Sequence, residues 1–286
     1  MYKIFSKKCL NPTVTQMEIE APLVARKAKP GQFIILRVDE EGERIPLTVA
    51  GTDPEKGTVK IIFQLVGSTT AKLNHKEEGE FIQDFVGPLG KATETEGIKK
   101  VCIVGGGVGC AIAMPVAEEF HRLGAEVTSI IGFRSKDLLI LEDEFKACSD
   151  RLIVMTDDGS YARHGNVTVP LKEMLEAGEH FDMIITIGPL IMMKFVTLAA
   201  KPFGVPVTAS MNPIMIDGTG MCGCCRISLK QDDGKRVTKF ACVDGPDFNA
   251  YEIDFDEAMS RGRMYMDFER HAYEETCNLF KGVDHA

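Results

Sequence analysis

The segment Asp217-Gly218-Thr219-Gly220-Met221-Cys222-Gly223-Cys224-Cys225 sets an aspartate and three cysteines among glycines, and Cys242 follows after sixteen intervening residues. Cys222 and Cys225 have the x2 spacing that lets two thiolates grip one iron or zinc ion, and Cys242 supplies a third sulfur. A plant-type [2Fe–2S] loop reads C-x4-C-x2-C with a distant fourth cysteine. Here the x2 pair and the distant cysteine fit, while Asp217 stands at the first position. Spacing therefore nominates Asp217, Cys222, Cys225 and Cys242 for a [2Fe–2S] centre. A zinc knuckle with Cys224 as fourth ligand is the alternative, and buried free thiols are a third reading.

A second group suits phosphate. Gly105-Gly106-Gly107-Val108-Gly109 lies between a short apolar strand and a helix start, where bare backbone N–H groups and the helix dipole favour an anion. The run lacks the G-x-G-x-x-G spacing of an ordinary dinucleotide dehydrogenase, and a plain tight turn is the other reading. Gly188-Pro189 and Asp157-Asp158 follow later strands where the sheet faces its ligand; the aspartates repel phosphate and suit a ribose hydroxyl, which predicts NAD(H) over NADP(H), and an acidic turn is their plain reading. Arg44-Ile45-Pro46-Leu47-Thr48 offers a guanidinium fork and a hydroxyl beside a strand, and Gly67-Ser68-Thr69-Thr70 offers small residues and hydroxyls; a surface arginine and a turn are the plain readings. The six histidines show no metal spacing or acid–base pairing. Cys9, Cys102, Cys110, Cys148 and Cys277 read as packing residues. No residue is nominated as a catalytic acid or base.

The elements that must hold these groups change character near residue 97. Before it, Phe33–Leu36 is a short apolar run, and Val59, Ile61, Phe63 and Leu65 alternate with a partner set breached at Ile62, the pattern of an antiparallel β-barrel. After it, strands Val101–Val104, Val127–Ile131, Leu152–Met155 and Met183–Ile187 alternate with helical stretches, as in a doubly wound parallel sheet. Beyond residue 209 come the cysteine loop, a polar hairpin tipped by Asp232-Asp233-Gly234, and one terminal helical piece, Phe255–Phe280. The expected units are 1–97, 98–209 and 210–286.

Composition agrees with a globular redox protein. The 286 residues suggest roughly two domains at about 150 each, or three small ones, and 44% apolar with 26% charged residues is an ordinary soluble mix. A net charge of −9 disfavours nucleic acid and anionic membranes as partners. No apolar run is long enough for a membrane span. Met1–Val14 lacks the apolar stretch of a signal peptide, so the expected compartment is the reducing cytoplasm.

Together these segments resemble the ferredoxin-reductase-like electron-transfer subunits, a family that includes the iron–sulfur subunit of dihydroorotate dehydrogenase type B. The resemblance runs over nearly the whole chain and implies an FAD-binding barrel, an NAD-binding α/β domain and a C-terminal [2Fe–2S] region. It implies that Arg44 to Thr48 form the R-x-P-x-[ST] flavin motif. It also implies that Ile62, Phe63 and Gln64, with Gly67 to Thr70, hold the isoalloxazine edge and diphosphate of FAD. Gly105 to Gly109 and Gly188-Pro189 are similar to the family's nicotinamide-nucleotide turns. Dihydroorotate dehydrogenase subunits carry cysteine at the position of Asp217. The aspartate resembles instead the small subunits of NADH-dependent reduced ferredoxin:NADP+ oxidoreductases, also described as sulfide dehydrogenase small subunits. That branch implies hydride exchange between NAD(H) and FAD and single-electron transfer through the cluster. It also implies a larger FAD/[4Fe–4S] partner similar to the glutamate synthase small subunit, through which ferredoxin and NADP(H) are reached. Service to dihydroorotate or sulfur metabolism, and a non-catalytic zinc-bearing interaction subunit, are the rival expectations.

Overall fold

The computed structural model describes residues 1–231 and 233–283, of which 276–283 are described by backbone alone. Asp232 at the expected hairpin tip and the side chain of Cys277 lie outside the described residues. The first sheet contains β1 (Tyr2–Asn11), β2 (Val14–Glu20), β3 (Phe33–Arg37), β4 (Arg44–Asp53), β5 (Thr58–Gln64), β6 (Phe81–Ile82) and β7 (Asp84–Leu89), with helices α1 (Pro22–Ala25) and α2 (Ser68–His75) between strands. Its order is β6-β1-β2-β5-β4-β3-β7, and its assigned neighbours are antiparallel. The two edge strands are separated in sequence by Gln83 alone, whose N–H donates to the carbonyls of Arg37 and Val38. Chain continuity thus brings the edges together, giving a nearly closed barrel that leaves little open edge.

The second sheet contains β8 (Lys100–Gly106), β9 (Glu126–Phe133), β10 (Arg151–Thr156), β11 (Arg163–His164), β12 (Met183–Ile187) and β13 (Val207–Ser210). Helices α3 (Cys110–Arg122), α4 (Glu142–Ala147), α5 (Thr168–Glu176) and α6 (Leu190–Ala200) lie between them. The order β11-β10-β9-β8-β12-β13 is parallel, and the chain winds in opposite directions from β8 and β12. The crevice outside the carboxyl ends of such a strand pair is where this architecture takes its ligands.

The remaining elements are β14 (Arg226–Lys230), β15 (Arg236–Phe240), α7 (Ala241–Asp244), β16 (Asp247–Asn249), α8 (Phe255–Arg261) and α9 (Met266–Val283). Strand β16 adds antiparallel to β13, so residues 247–249 belong to the nucleotide sheet rather than to a region apart. The expected single helix from Phe255 is two helices, because the chain turns at Gly262–Tyr265 before α9 begins. Helix α9 then packs against α2.

Ile62, the breach in the barrel's alternation, is buried with Val14, Ala50, Ala111 and Met114, where the barrel's outer face meets α3. A second core joins Phe33 and Ile35 of the barrel, Val104 and Ala209 of the nucleotide sheet, and Met215, Cys225 and Cys242 of the cysteine region. Apolar burial therefore ties all three segments to one another.

Candidate functional site

A cleft of about 850 Å³ opens at the carboxyl ends of β8 and β12. Gly106, Gly107, Val108, Gly109, Gly188, Pro189 and Asp157 line it, together with Gln64 from the barrel. Gly109 has ordinary helical backbone angles (φ −58°), so its left-handed freedom is not what the fold uses. Space is: a Cβ there would lie 2.6 Å from the Ile187 carbonyl oxygen and 2.7 Å from Gly188 Cα. The two turns approach each other at backbone distance, and a side chain would push them apart.

Sequence reasoning missed several cleft residues, among them Arg134, Asn166, Ser210 and Asn212. Arg134 was legible in principle, as the first residue after β9 at the ligand end of the sheet. Gly105 packs inside β8, where a Cβ would meet Cys110 Sγ at 3.0 Å. Asp158 is also outside the cleft lining. Its carboxylate accepts the Ser160 N–H, and hydrogen bonding from Ser160 holds it below the usual carboxylate range. That loop is therefore anionic at neutral pH.

The nominated flavin residues gather elsewhere. Arg44 to Thr48 run along β4 and are partly exposed, opposite β3. Of Ile62 to Gln64, only Gln64 reaches the cleft; Ile62 fills the interface with α3 and Phe63 the barrel core. Gly67 precedes α2. The Thr70 hydroxyl accepts the N–H groups of Val66 and Gly67, closing that turn, while Thr69 Oγ1 donates to Glu43 Oε2 at 3.1 Å. Ser68 and Thr69 form the first turn of α2, where backbone N–H groups have no partner within the helix.

Arg44 joins this edge to the cysteine loop: its Nε donates to the Ile216 carbonyl at 2.9 Å, one residue before Asp217. Gly218 fixes the same approach. Its φ is +77°, and a Cβ would lie 2.7 Å from Leu89 Cδ1 and 2.8 Å from Ile35 Cδ1 of the barrel wall. The cysteine loop is thus seated against the barrel beside Arg44.

Within the loop, Cys225 Sγ and Cys242 Sγ are buried 3.2 Å apart as free thiols, whereas Cys222 is exposed. Asp217 Oδ1 accepts the Thr219 N–H (2.8 Å) and Oδ2 the Cys222 N–H (3.1 Å). These bonds, that from Thr219 foremost, hold the carboxyl below its ordinary range. Among the described residues no three candidate ligands converge as a ready metal cage. The donor set nevertheless fits iron: a close sulfur pair, a third thiol on the same loop, and an ionised carboxylate tied to that thiol's own backbone. Burial pushes the Cys242 thiol up to about 12, so binding a metal there must displace a proton. Cys102, Cys110 and Cys148 are buried as expected, but Cys9 is exposed and is not a core residue.

Residues 212–254 match the family profile described as the iron–sulfur cluster binding domain of dihydroorotate dehydrogenase B. Over 272 residues the chain is 46% identical to a dihydroorotate dehydrogenase B (NAD(+)) electron transfer subunit homolog of Thermotoga maritima, covering 95% of this chain and 94% of the relative. The chain belongs to this family of electron transfer subunits. A probable electron transfer subunit of the same name from Methanocaldococcus jannaschii is 38% identical, over 79% of this chain and 81% of its own length. Among solved structures, a chain of an NADH-dependent reduced ferredoxin-NADP oxidoreductase, described for flavin-based electron bifurcation, superposes with a TM-score of 0.88. It is 44% identical, with 96% of this chain and 97% of that one covered. The chain is therefore an oxidoreductase electron transfer subunit with a ferredoxin-reductase-like fold and a C-terminal iron–sulfur region, as its motifs led one to expect. No helix among the described residues is long and apolar enough to cross a membrane.

Proposed function

We propose that the chain binds FAD along the β4–α2 edge, NAD(H) in the β8/β12 cleft and a [2Fe–2S] cluster in the 217–242 segment, and relays electrons between nicotinamide and a larger partner subunit. When bound, the flavin and the cluster supply the exchange between two-electron and one-electron chemistry. The chain's residues bind, orient and exclude water. Arg44 is suited to neutralise part of a diphosphate through its terminal guanidinium nitrogens while Nε anchors Ile216. Gln64 closes the cleft from the barrel side, and the turns at Gly106–Gly109 and Gly188 offer backbone N–H groups to phosphate. The observation that carries the reading is the Arg44–Ile216 bond, because it sets the flavin motif against the cluster loop. The bifurcating neighbour supports service in NADH-dependent ferredoxin:NADP+ oxidoreduction, with a partner similar to the glutamate synthase small subunit holding FAD and [4Fe–4S] clusters. The purified chain is expected to show flavin bands with a broad iron–sulfur shoulder and to co-purify with a larger flavin- and iron-containing chain. A colourless protein carrying stoichiometric zinc would sink the proposal.

Two expectations follow for the cofactors. Arg44→Ala should lose FAD on extensive dialysis while keeping its far-UV spectrum, since each charge-assisted hydrogen bond contributes about 1.5–3 kcal/mol. Flavin content equal to that of the unaltered protein would show that Arg44 serves only the Ile216 loop. For the nucleotide, Asp157 at the cleft and the anionic Asp158 beside it repel a 2′-phosphate and suit a ribose hydroxyl. Steady-state assays with an artificial acceptor should therefore give kcat/KM for NADH about tenfold or more above that for NADPH, roughly 1.4 kcal/mol. Equal values would mean that Arg134 on the same rim outweighs the carboxylates.

A further inference from the structure

Helix α8 is gripped at both ends. At its N-terminus Asp254, only 4% exposed, accepts the Glu257 N–H and pairs with Lys230 and Arg236, facing residues of the β14–β15 hairpin. At its last residue, Arg261 Nη2 donates to the Cys224 carbonyl at 3.1 Å. Arg261 Nη1 is buried and has no hydrogen-bond partner among the described residues. The other acids of α8 serve other cations, Asp256 pairing with Lys194 and Glu257 with Arg236. A half-buried guanidinium without a carboxylate, and with a buried donor unmet, is costly unless an anion satisfies it. The segment it touches is the one that carries Cys222, Cys224 and Cys225.

We propose that Arg261 is a positioning residue for the iron–sulfur centre, fixing the Cys224–Cys225 corner through the Cys224 carbonyl and raising the centre's reduction potential by its charge. The proposal rests on the cluster reading above. On one-electron reduction the ligand set is unchanged and the centre becomes more negative, so a nearby cation stabilises the reduced state more than the oxidised one. Arg261 lies outside the cleft lining and the flavin motif.

The test is an EPR-monitored redox titration of the complete complex, with iron and acid-labile sulfide assayed in parallel on the unaltered protein, Arg261→Gln and Arg261→Lys. With iron content retained, Arg261→Gln should shift the reduction equilibrium about tenfold toward the oxidised state, equivalent to 59 mV for one electron. Arg261→Lys keeps the charge and should recover most of that shift. Should Arg261→Gln hold its iron too weakly for the titration, both variants are reconstituted with iron and sulfide and the rate of iron release to a chelator is read on each, and faster release from Gln than from Lys supports the role. An unchanged potential in fully loaded Arg261→Gln, an equal shift in both variants, or equal iron release from both overturns it. Absence of iron and sulfide from the unaltered complex would remove the cluster reading itself, a result distinct from any variant comparison.

Discussion

Asp217→Ala is expected to leave the purified chain with little bound iron, whereas Cys224→Ser should keep both iron content and EPR spectrum. Asp217 stands at the first position of the C-x4-C-x2-C pattern, and an adjacent Cys224–Cys225 pair is an awkward chelate for one centre. The structure adds a second duty, since both carboxylate oxygens accept backbone N–H groups and one of those belongs to Cys222. Ligation and loop-holding can be separated. Asp217→Cys supplies a thiolate but loses the oxygen acceptors; it should retain a cluster with an altered EPR spectrum and potential. Asp217→Asn keeps the shape and one acceptor oxygen, so it can keep one of the two loop bonds, but it is a poor anionic ligand and should lose iron. A spectrum intact in Asp217→Ala and abolished in Cys224→Ser would transfer the fourth place to Cys224.

Gly109→Ala should weaken NADH binding markedly without removing a polar group. The added methyl would meet backbone at 2.6 Å and 2.7 Å, and neither the end of β12 nor Gly188 can rotate away as a side chain would. Overpacking of this kind typically costs about 1–3 kcal/mol of stability, and the forced separation falls on the two turns that face the nucleotide. Titration of the purified protein with NADH should show at least about a tenfold rise in Kd, and thermal unfolding should show a lower Tm. Iron and flavin content should remain, because neither Arg44 nor the cysteine loop lines the cleft. An unaltered Kd would mean that the α3 end of the turn yields more readily than the contact distances allow.

Much of this molecule was legible in local sequence. Period-two alternation in Val59–Leu65 found β5, and short apolar runs ending in glycine found β8 and β12, because burial on one or both faces of a strand leaves that trace. Cysteine spacing found the metal-binding segment, since chelation by neighbouring residues is a local geometric matter. Other features are not local. The Ile62 breach is an interface with α3, which becomes intelligible only when the nucleotide sheet is docked on the barrel. The expected units also missed that β16, beyond the cysteines, closes the nucleotide sheet, because a three-residue edge strand has too little pattern to declare its partner. The sequence by itself determined the order of the segments and the chemistry of the donors. Tertiary structure decided which donors meet: it set Arg44 on the Ile216 carbonyl, turned Phe63 into the barrel core, and brought Arg261 under Cys224 across 37 residues. Those contacts depend on how faces of separate elements pack, and no short-range pattern in the chain records the packing of a distant face.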